Sequence, residues 1–177
     1  MATAKQSSYL RDVLKRFFAH KLAMVGAIIL IIEILAILFL PSIMNLDPYS
    51  IDYMSFGAPP SAAHILGTDD VGRDNFARLI YGGRVSLTVG ILSAIVSLLI
   101  GVPLGLIAGF FRGKTEVVIM RVADIFMSFP SMILILVLAS VLGQSITTVT
   151  LVIGFLGWTE FTRLTYASVL SIREKDY

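Results

Sequence analysis

The sequence has 177 residues, of which 56% are hydrophobic and 15% are charged. Because soluble domains are about one quarter charged, this composition excludes an ordinary water-soluble fold. The net charge of +2 offers no basic patch for a nucleic acid, and the absence of cysteine excludes disulfides, thiolate metal sites and cysteine nucleophiles. The chain is therefore expected to be an all-α protein that crosses a lipid bilayer several times.

The first predicted elements are a cytoplasmic N-terminal tail, residues 1–21, and a membrane helix, residues 22–41. The segment from Leu22 to Leu40 is apolar except for Glu33, and at ~1.5 Å per residue it nearly matches the ~30 Å hydrocarbon core. A cleaved signal peptide is the rival interpretation, but the apolar stretch exceeds about 15 residues and no small-residue cleavage site follows it. Glu33 has no partner nearby in the sequence, so we expect it to face another helix or a polar cavity, or to be protonated.

Residues 42–83 form a polar, extracytoplasmic insert that is too long for a tight connection. Its first half is rich in proline and glycine and is predicted to run extended over the membrane surface. Thr68-Asp69-Asp70 then offers capping side chains, and Phe76, Leu79 and Ile80 follow at helical spacing. This pattern predicts a short amphipathic helix that leads into the second span.

The acidic side chains of this insert could in principle gather a metal ion together with its histidine. Asp69-Asp70-Val71-Gly72-Arg73-Asp74 lacks the alternating spacing of a calcium loop, however. We therefore expect helix caps and surface ion pairs with Arg73 and Arg78 instead.

Residues 84–177 are expected to hold three more membrane helices. Val85 to Phe111 has no charged residue and forms the second span, with Pro103 kinking it. Ile125 to Thr159 is also uncharged, but as one helix it would be roughly 50 Å long. The polar string from Gly143 to Thr148 is taken as its one break, which gives a third helix at residues 117–142 and a fourth at residues 147–170.

The basic residues predict the orientation of the four spans, because they favour cytoplasmic loops. Most of them would lie on one side, namely Lys5, Arg11, Lys15, Arg16, Lys21, Arg112, Lys114, Arg121, Arg163, Arg173 and Lys175. Arg73, Arg78 and Arg84 would lie on the other side, together with five aspartates. This separation places both ends of the sequence in the cytoplasm.

Two motifs within these spans bear on function. Gly101, Gly105 and Gly109 recur every four residues, which predicts a face for close helix packing. Gly113-Lys114-Thr115 resembles the end of a phosphate-binding loop, but the first glycine of that motif is missing and no strand precedes it, so ATP binding by this chain is not expected.

Charged residues at membrane depth are functional candidates, because burying a charge in lipid is costly. Glu160 and Arg163 are three residues apart, as are Arg121 and Asp124. Each pair is expected to neutralise itself within its own helix.

The run HILGTDDVGRDNFARLIYGGRVSLTVG, His64 to Gly90, resembles the permease subunits of bacterial peptide-type ABC importers, the dipeptide, oligopeptide and nickel group. It is most similar to the C-type member of the permease pair. The family motif before the second helix is matched by His64, Leu66, Gly67, Thr68, Asp69, Gly72, Arg73 and Asp74. Further similarity lies at Asp124, Phe129-Pro130, Trp158, Arg163 and the run from Glu174 to Tyr177.

The resemblance implies a type I importer permease whose partial core is residues 84–177. In relatives, the position of Tyr177 is followed by a Glu-Ala-Ala loop that docks into the ATPase and by two more membrane helices. We therefore expect a truncated chain with the first four of six spans and with Glu174 and Tyr177 at its ATPase-proximal end. Tyr166 stands where relatives often have arginine, which argues against a basic cytoplasmic gate there.

The implied function is that of a multi-pass subunit in the bacterial inner membrane, in an importer for peptides or similar small solutes. It would pair with a second permease, two cytoplasmic ATPase subunits and an extracytoplasmic solute-binding protein, and work by alternating access. The chain itself would bind no cofactor and perform no bond chemistry, since its partners use the ATP. The loop facing the binding protein would include His64, Gly67, Thr68, Asp69, Gly72, Arg73 and Asp74.

Two alternatives remain open at this point. An ion- or proton-coupled secondary transporter or channel could use Glu33, Asp124 or Glu160 as its site. Such folds often consist of repeated halves, and no convincing internal repeat is present. The second alternative is a structural fragment that is retained as an interaction partner.

Overall fold

The computed structural model describes residues 9–173, and the regular structure of this part is helical. The helices are α1 (Tyr9–Ala19), α2 (Lys21–Ile43), α3 (Asn75–Phe111), α4 (Gly113–Met127), α5 (Ser131–Leu142) and α6 (Ile146–Arg173). The expected all-α class is confirmed.

Two compact units divide the chain, Met1–Arg84 and Val85–Tyr177, with the boundary inside α3. In the first unit, α2 begins at a cap formed by His20, whose ring Nδ1 accepts a hydrogen bond of 3.2 Å from the Ala23 N–H. Ile37 is the buried residue of α2 and lies against Gly83, where an added Cβ would meet its Cδ1 at 2.8 Å. Small residues thus allow α2 to approach the first part of α3.

α3 begins later than the sequence predicts and is continuous with the second span. Asp74 caps it, because its Oδ1 accepts a 2.9 Å hydrogen bond from the Ala77 N–H. The expected cap at residues 68–70 is therefore wrong, whereas Phe76, Leu79 and Ile80 do lie in a helix that leads into the second span: α3 is one helix of 37 residues, and Pro103 lies inside it.

The predicted third helix, residues 117–142, is broken into α4 and α5, which are bent by 81° to each other. The break lies at Ser128, Phe129 and Pro130. Proline has no N–H for the helix ladder and disfavours a helical conformation at the preceding residue. The prediction that Gly143 to Thr148 is the one break in the uncharged stretch is therefore wrong, because a second break lies at residues 128–130.

α6 packs against both α4 and α5 in the second unit. Trp158 is buried, and its ring makes an edge contact with Phe126 of α4 at a centroid distance of 5.7 Å. Much of the remaining buried surface is small or hydroxyl-bearing, from Ser93, Ser97, Ala108, Ala123, Thr150, Gly154, Thr159 and Thr162. Such residues are typical of membrane helix interfaces.

By length and composition, two helices within residues 9–173 can cross a membrane, α2 and α3, or three if α4 and α5 together form one span. α6 is 28 residues long but fails this test of apolar composition. Its threonines, Glu160 and Arg163 lower its hydropathy. The expected count of four spans is thus not confirmed.

Candidate functional site

The α2–α3 loop, residues 44–74, folds back on itself. Three hydrogen bonds of 2.9 to 3.0 Å join its halves, from the N–H groups of Asp52, Gly57 and Thr68 to the carbonyls of Gly72, Asp69 and Ala58, respectively. The first half is therefore paired with the second, a long-range backbone pairing that local composition does not encode. The course of the loop over the membrane surface stays a prediction.

Two glycines of the family motif are required by this folding. Gly67 and Gly72 have φ values of +67° and +82°, which residues other than glycine rarely adopt. A Cβ at Gly67 would collide with the carbonyl oxygen of Ala58, and a Cβ at Gly72 with that of Asp52. Both glycines thus let the halves of the loop approach closely.

Asp69 organises the turn between these glycines. Its Oδ1 accepts hydrogen bonds from the N–H groups of Val71 at 3.0 Å and Arg73 at 2.9 Å. Its Oδ2 accepts from Arg73 Nε at 2.9 Å and forms an ion pair with Arg78. The backbone N–H of Arg73, followed by the other donors, lowers the pKa of Asp69 to about 2.

His64 joins the two halves of the loop through its ring. Nδ1 lies 2.8 Å from Oδ2 of Asp74, and Nε2 lies 3.4 Å from Oδ2 of Asp52. The hydrogen bond to Asp74 is the main cause that raises the pKa of His64, with partial burial opposing it and Asp52 adding to it. A protonated ring can donate to both carboxylates, whereas a neutral ring has one N–H to donate.

Thr68 and Asp74 complete this network at the start of α3. The Thr68 hydroxyl donates to the Ser55 carbonyl and accepts a 2.9 Å hydrogen bond from the Ala58 N–H. Burial opposes ionisation of Asp74, but hydrogen bonds from Ala77 and His64 outweigh it, so the pKa of Asp74 is lowered. The motif residues therefore hold one another in place.

The three spaced glycines of α3 face α6. An added Cβ at Gly101 would lie 2.6 Å from the Trp158 carbonyl oxygen, and one at Gly109 would lie 2.7 Å from Val169 Cγ1. At Gly105 the contacts would be 2.6 Å to the Thr162 carbonyl oxygen and 2.6 Å to Thr165 Cβ. The backbones of α3 and α6 are in direct contact along this face.

The charged residues of α4 and α6 are arranged differently from the expected intrahelical pairs. Arg163 of α6 donates to Asp124 of α4, so this ion pair joins two helices. Glu160 and Arg121 have no ion pair within residues 9–173. The expected Glu160–Arg163 and Arg121–Asp124 pairs are therefore wrong, because the packing of α4 on α6 brings Asp124 within reach of the Arg163 guanidinium.

Glu160 lines a cavity of about 300 Å³ at the α4–α5 break. The residues around it are Phe126, Met127, Phe129, Pro130, Ser131, Leu134, Leu156, Thr159 and Glu160. Glu160 is exposed, as is Glu33 on α2, and within residues 9–173 Glu33 takes part in no ion pair. Glu174 and Tyr177, expected near the ATPase, lie outside the described residues.

The contacts of three residues, Asp52, Glu116 and Tyr166, were not predicted from the sequence. Asp52 lies twelve residues before His64, with no spacing that would link them. Tyr166 of α6 donates its phenolic hydrogen to Glu116 of α4, fifty residues away in sequence. Contacts over such separations follow from the folding of the loop and the packing of the helices, so no spacing in the sequence identifies them.

Two family models match the chain. Residues 8–60 match the N-terminal membrane domain of oligopeptide transport permease C, and residues 101–177 match the inner membrane component of binding-protein-dependent transport systems. The matches together include α2, the first half of the α2–α3 loop and all of α4, α5 and α6.

Curated relatives agree with these matches. The oligopeptide transport system permease protein OppC of Bacillus subtilis (strain 168) is 37% identical over 173 residues, which is 98% of this chain and 57% of the relative. The dipeptide transport system permease protein DppC of the same strain is 34% identical over 175 residues, covering 96% and 53% of the two chains. The probable D,D-dipeptide transport system permease protein DdpC of Escherichia coli (strain K12) is 35% identical over 156 residues, covering 88% and 52%. The chain thus spans about half the length of the curated relatives it matches.

Proposed function

Since the chain belongs to the binding-protein-dependent transport permeases, in the branch of oligopeptide permease C, we propose that it is a membrane subunit of an ATP-driven importer. Its substrates would be peptides or similar small solutes, as the names of its relatives indicate. The observation that carries this proposal is the presence of both family matches in one helical chain. A secondary transporter is not favoured, because both family matches are to permeases of binding-protein-dependent and oligopeptide transport systems.

The subunit would act together with a second permease, two cytoplasmic ATPases and a solute-binding protein. ATP binding and hydrolysis on the ATPases would drive alternating access of a path between the permeases. This chain contributes helices, a polar loop and intramembrane charges, and the energy comes from its partners.

We place the subunit in the bacterial inner membrane, with the α2–α3 loop outside. α6 would form a further span, turning Trp158 and Thr162 toward α3 and α4 rather than toward lipid. The concentration of Lys and Arg before α2 and after α3 supports a cytoplasmic position for those segments.

We propose that the family motif supports a binding-protein contact indirectly. Asp69 and His64 are largely turned into the loop network, whereas Tyr49, Tyr53 and Met54 are among the most exposed side chains of the loop. The motif would position the exposed surface of the loop and need not touch the binding protein itself.

The test is uptake of a radiolabelled peptide by proteoliposomes that contain the assembled importer, ATP and the binding protein. Uptake should require this subunit and ATP, and Asp69→Asn should reduce it severalfold while leaving basal ATP hydrolysis unchanged. Asp70→Asn is the matched control, since the Asp69 side chain holds the turn and Asp70 has no ion pair within residues 9–173. Uptake that persists without this subunit would refute the proposed function.

A further inference from the structure

We propose that the cavity at the α4–α5 break is a subsite for an organic ammonium group, with Glu160 as its anionic partner; this rests on the proposed transport function. The ligand class is the protonated amino group of a small solute. The cavity holds about 300 Å³, which is enough for one such group and the atoms around it.

The carboxylate of Glu160 is free to meet a ligand because its helical neighbour is engaged elsewhere. Arg163, three residues further along α6, donates to Asp124 of α4. Among residues 9–173, no side chain forms an ion pair with Glu160. Glu160 lies midway along α6, where an ionised carboxylate is costly unless it faces water or a cation.

The other lining groups also suit a cation. Ser131 and Thr159 contribute hydroxyl oxygens, and no Lys, Arg or His lines the cavity. Phe126 and Phe129 add aromatic rings, which attract ammonium groups through their negative faces. An anionic solute group would find no compensating charge among these residues.

The break in the helix is what opens this space. Pro130 begins α5 with an extended ψ of 116°, and the 81° bend turns α5 away from the axis of α4. Residues on both sides of the break, Met127 and Ser131, line the cavity together with Glu160 of α6. The bend at Pro130 and the cavity therefore lie at the same place in the unit.

The absence of cysteine from the chain allows a direct test of the potential in the cavity. A single cysteine at Ser131 would be labelled in membranes containing the assembled importer, with a cationic reagent (2-aminoethyl methanethiosulfonate) and an anionic one (2-sulfonatoethyl methanethiosulfonate). The measured quantity is the ratio of the two labelling rates, with Glu160 or with Glu160→Gln. Met127→Cys, on the opposite side of the break, gives a second position if Ser131→Cys does not assemble.

Glu160 should favour the cationic reagent at Ser131→Cys, and Glu160→Gln should lower the rate ratio by about fivefold or more, as expected for one unit charge at close range. Gln144→Cys, in the α5–α6 connection, is the control. It lies roughly 20 Å from Glu160 along α6, beyond the ~8–10 Å Debye length, so its ratio should not change.

An unchanged ratio at Ser131→Cys would overturn the proposal, because it would mean that Glu160 is protonated or is neutralised by a basic residue of a partner. Cysteines in the cavity that react with neither reagent would overturn it too, since the cavity would then be closed to water-borne cations. Peptide uptake by the same proteins is measured separately. A failure of uptake with a normal labelling ratio counts against the importer function and not against the subsite.

Discussion

Replacing Gly105 by alanine should force α3 away from α6 and destabilise the second unit. The new Cβ would lie 2.6 Å from the Thr162 carbonyl oxygen and 2.6 Å from Thr165 Cβ. Both are backbone or Cβ positions, which cannot rotate away. Because carbon contacts are comfortable at ~3.5 to 4.0 Å, the helices must separate locally by about 1 Å.

The magnitude follows from what this separation disrupts. Overpacking of a close interface costs about 1–3 kcal/mol. The one hydroxyl hydrogen of Thr162 is shared between the Trp158 carbonyl of its own helix at 2.9 Å and the Gly101 carbonyl at 3.1 Å, and a shift of about 1 Å would break only the second contact, at a further cost of about 0.5 kcal/mol. Alanine recovers up to about 1 kcal/mol in helix propensity. The net loss should be about 0.5–3.5 kcal/mol.

Gly90→Ala is the matched control on the same helix, since nothing lies within 4 Å of a Cβ at that position. It should be neutral or slightly stabilising. The assay is equilibrium unfolding in mixed detergent micelles, followed by the fluorescence of Trp158, the single tryptophan, which is buried against α4. Equal stability of the two alanine variants would refute the packing argument.

The remaining predictions concern polar contacts. Asp69→Asn should speed amide hydrogen exchange in the α2–α3 loop at neutral pH, and this difference should vanish as the pH falls from about 3.8 toward 2, because a lowered pKa stabilises only while the carboxyl is ionised. His64, whose pKa is raised, should protect the loop below pH 6.5 and lose that effect as the pH rises through its folded pKa; exchange from pH 5 to 9 should show this, and His64→Gln should abolish it. Tyr166→Phe removes the hydrogen bond to Glu116 and should cost about 0.6–1.5 kcal/mol in the same unfolding assay.

Each of these has a clear contrary result. A pH-independent difference for Asp69→Asn would show that the carboxylate charge is unimportant to the turn. Loop exchange in the parent protein that does not change above pH 6.5 would show that His64 does not link the two halves through its protonated ring. Unaltered unfolding of Tyr166→Phe would mean that its hydroxyl is equally well solvated elsewhere.

The positions of the helices could be read largely from apolar runs, whereas their ends and breaks depended on single residues. Thr68-Asp69-Asp70 has the side chains of a helix cap, but Asp69 Oδ1 accepts hydrogen bonds from the N–H groups of Val71 and Arg73 within the turn. The real cap is Asp74. Which of several neighbouring aspartates caps a helix is decided by tertiary contacts, so propensity alone could not choose among them.

Pro130 is a helix-breaking signal in the sequence, but the prediction placed the one break at the polar string from Gly143 to Thr148. Proline disfavours a helical conformation at the preceding residue, but Pro41 and Pro103 lie inside α2 and α3, so a proline in an uncharged stretch does not by itself predict that a helix ends. The partners of the charged residues were not visible in the same sense. Arg163 has Glu160 three residues before it and yet binds Asp124, thirty-nine residues away, because spacing identifies possible intrahelical pairs but not the neighbouring helix that competes for them.

The α3–α6 interface explains how a helix with so many polar residues can hold its place. In lipid there is little hydrophobic drive to bring helices together, so close backbone packing must supply the attraction. Here the exchange is reciprocal: α3 presents glycines to the bulky residues of α6, while α6 presents Gly154 and Gly157 to Val96 and Ser97 of α3. The Ser97 hydroxyl donates to the Gly154 carbonyl at 2.7 Å, a contact that only such close approach allows. α3 and α6 therefore form a pair in direct backbone contact, and α4 and α5 pack on α6 from the two sides of the bend.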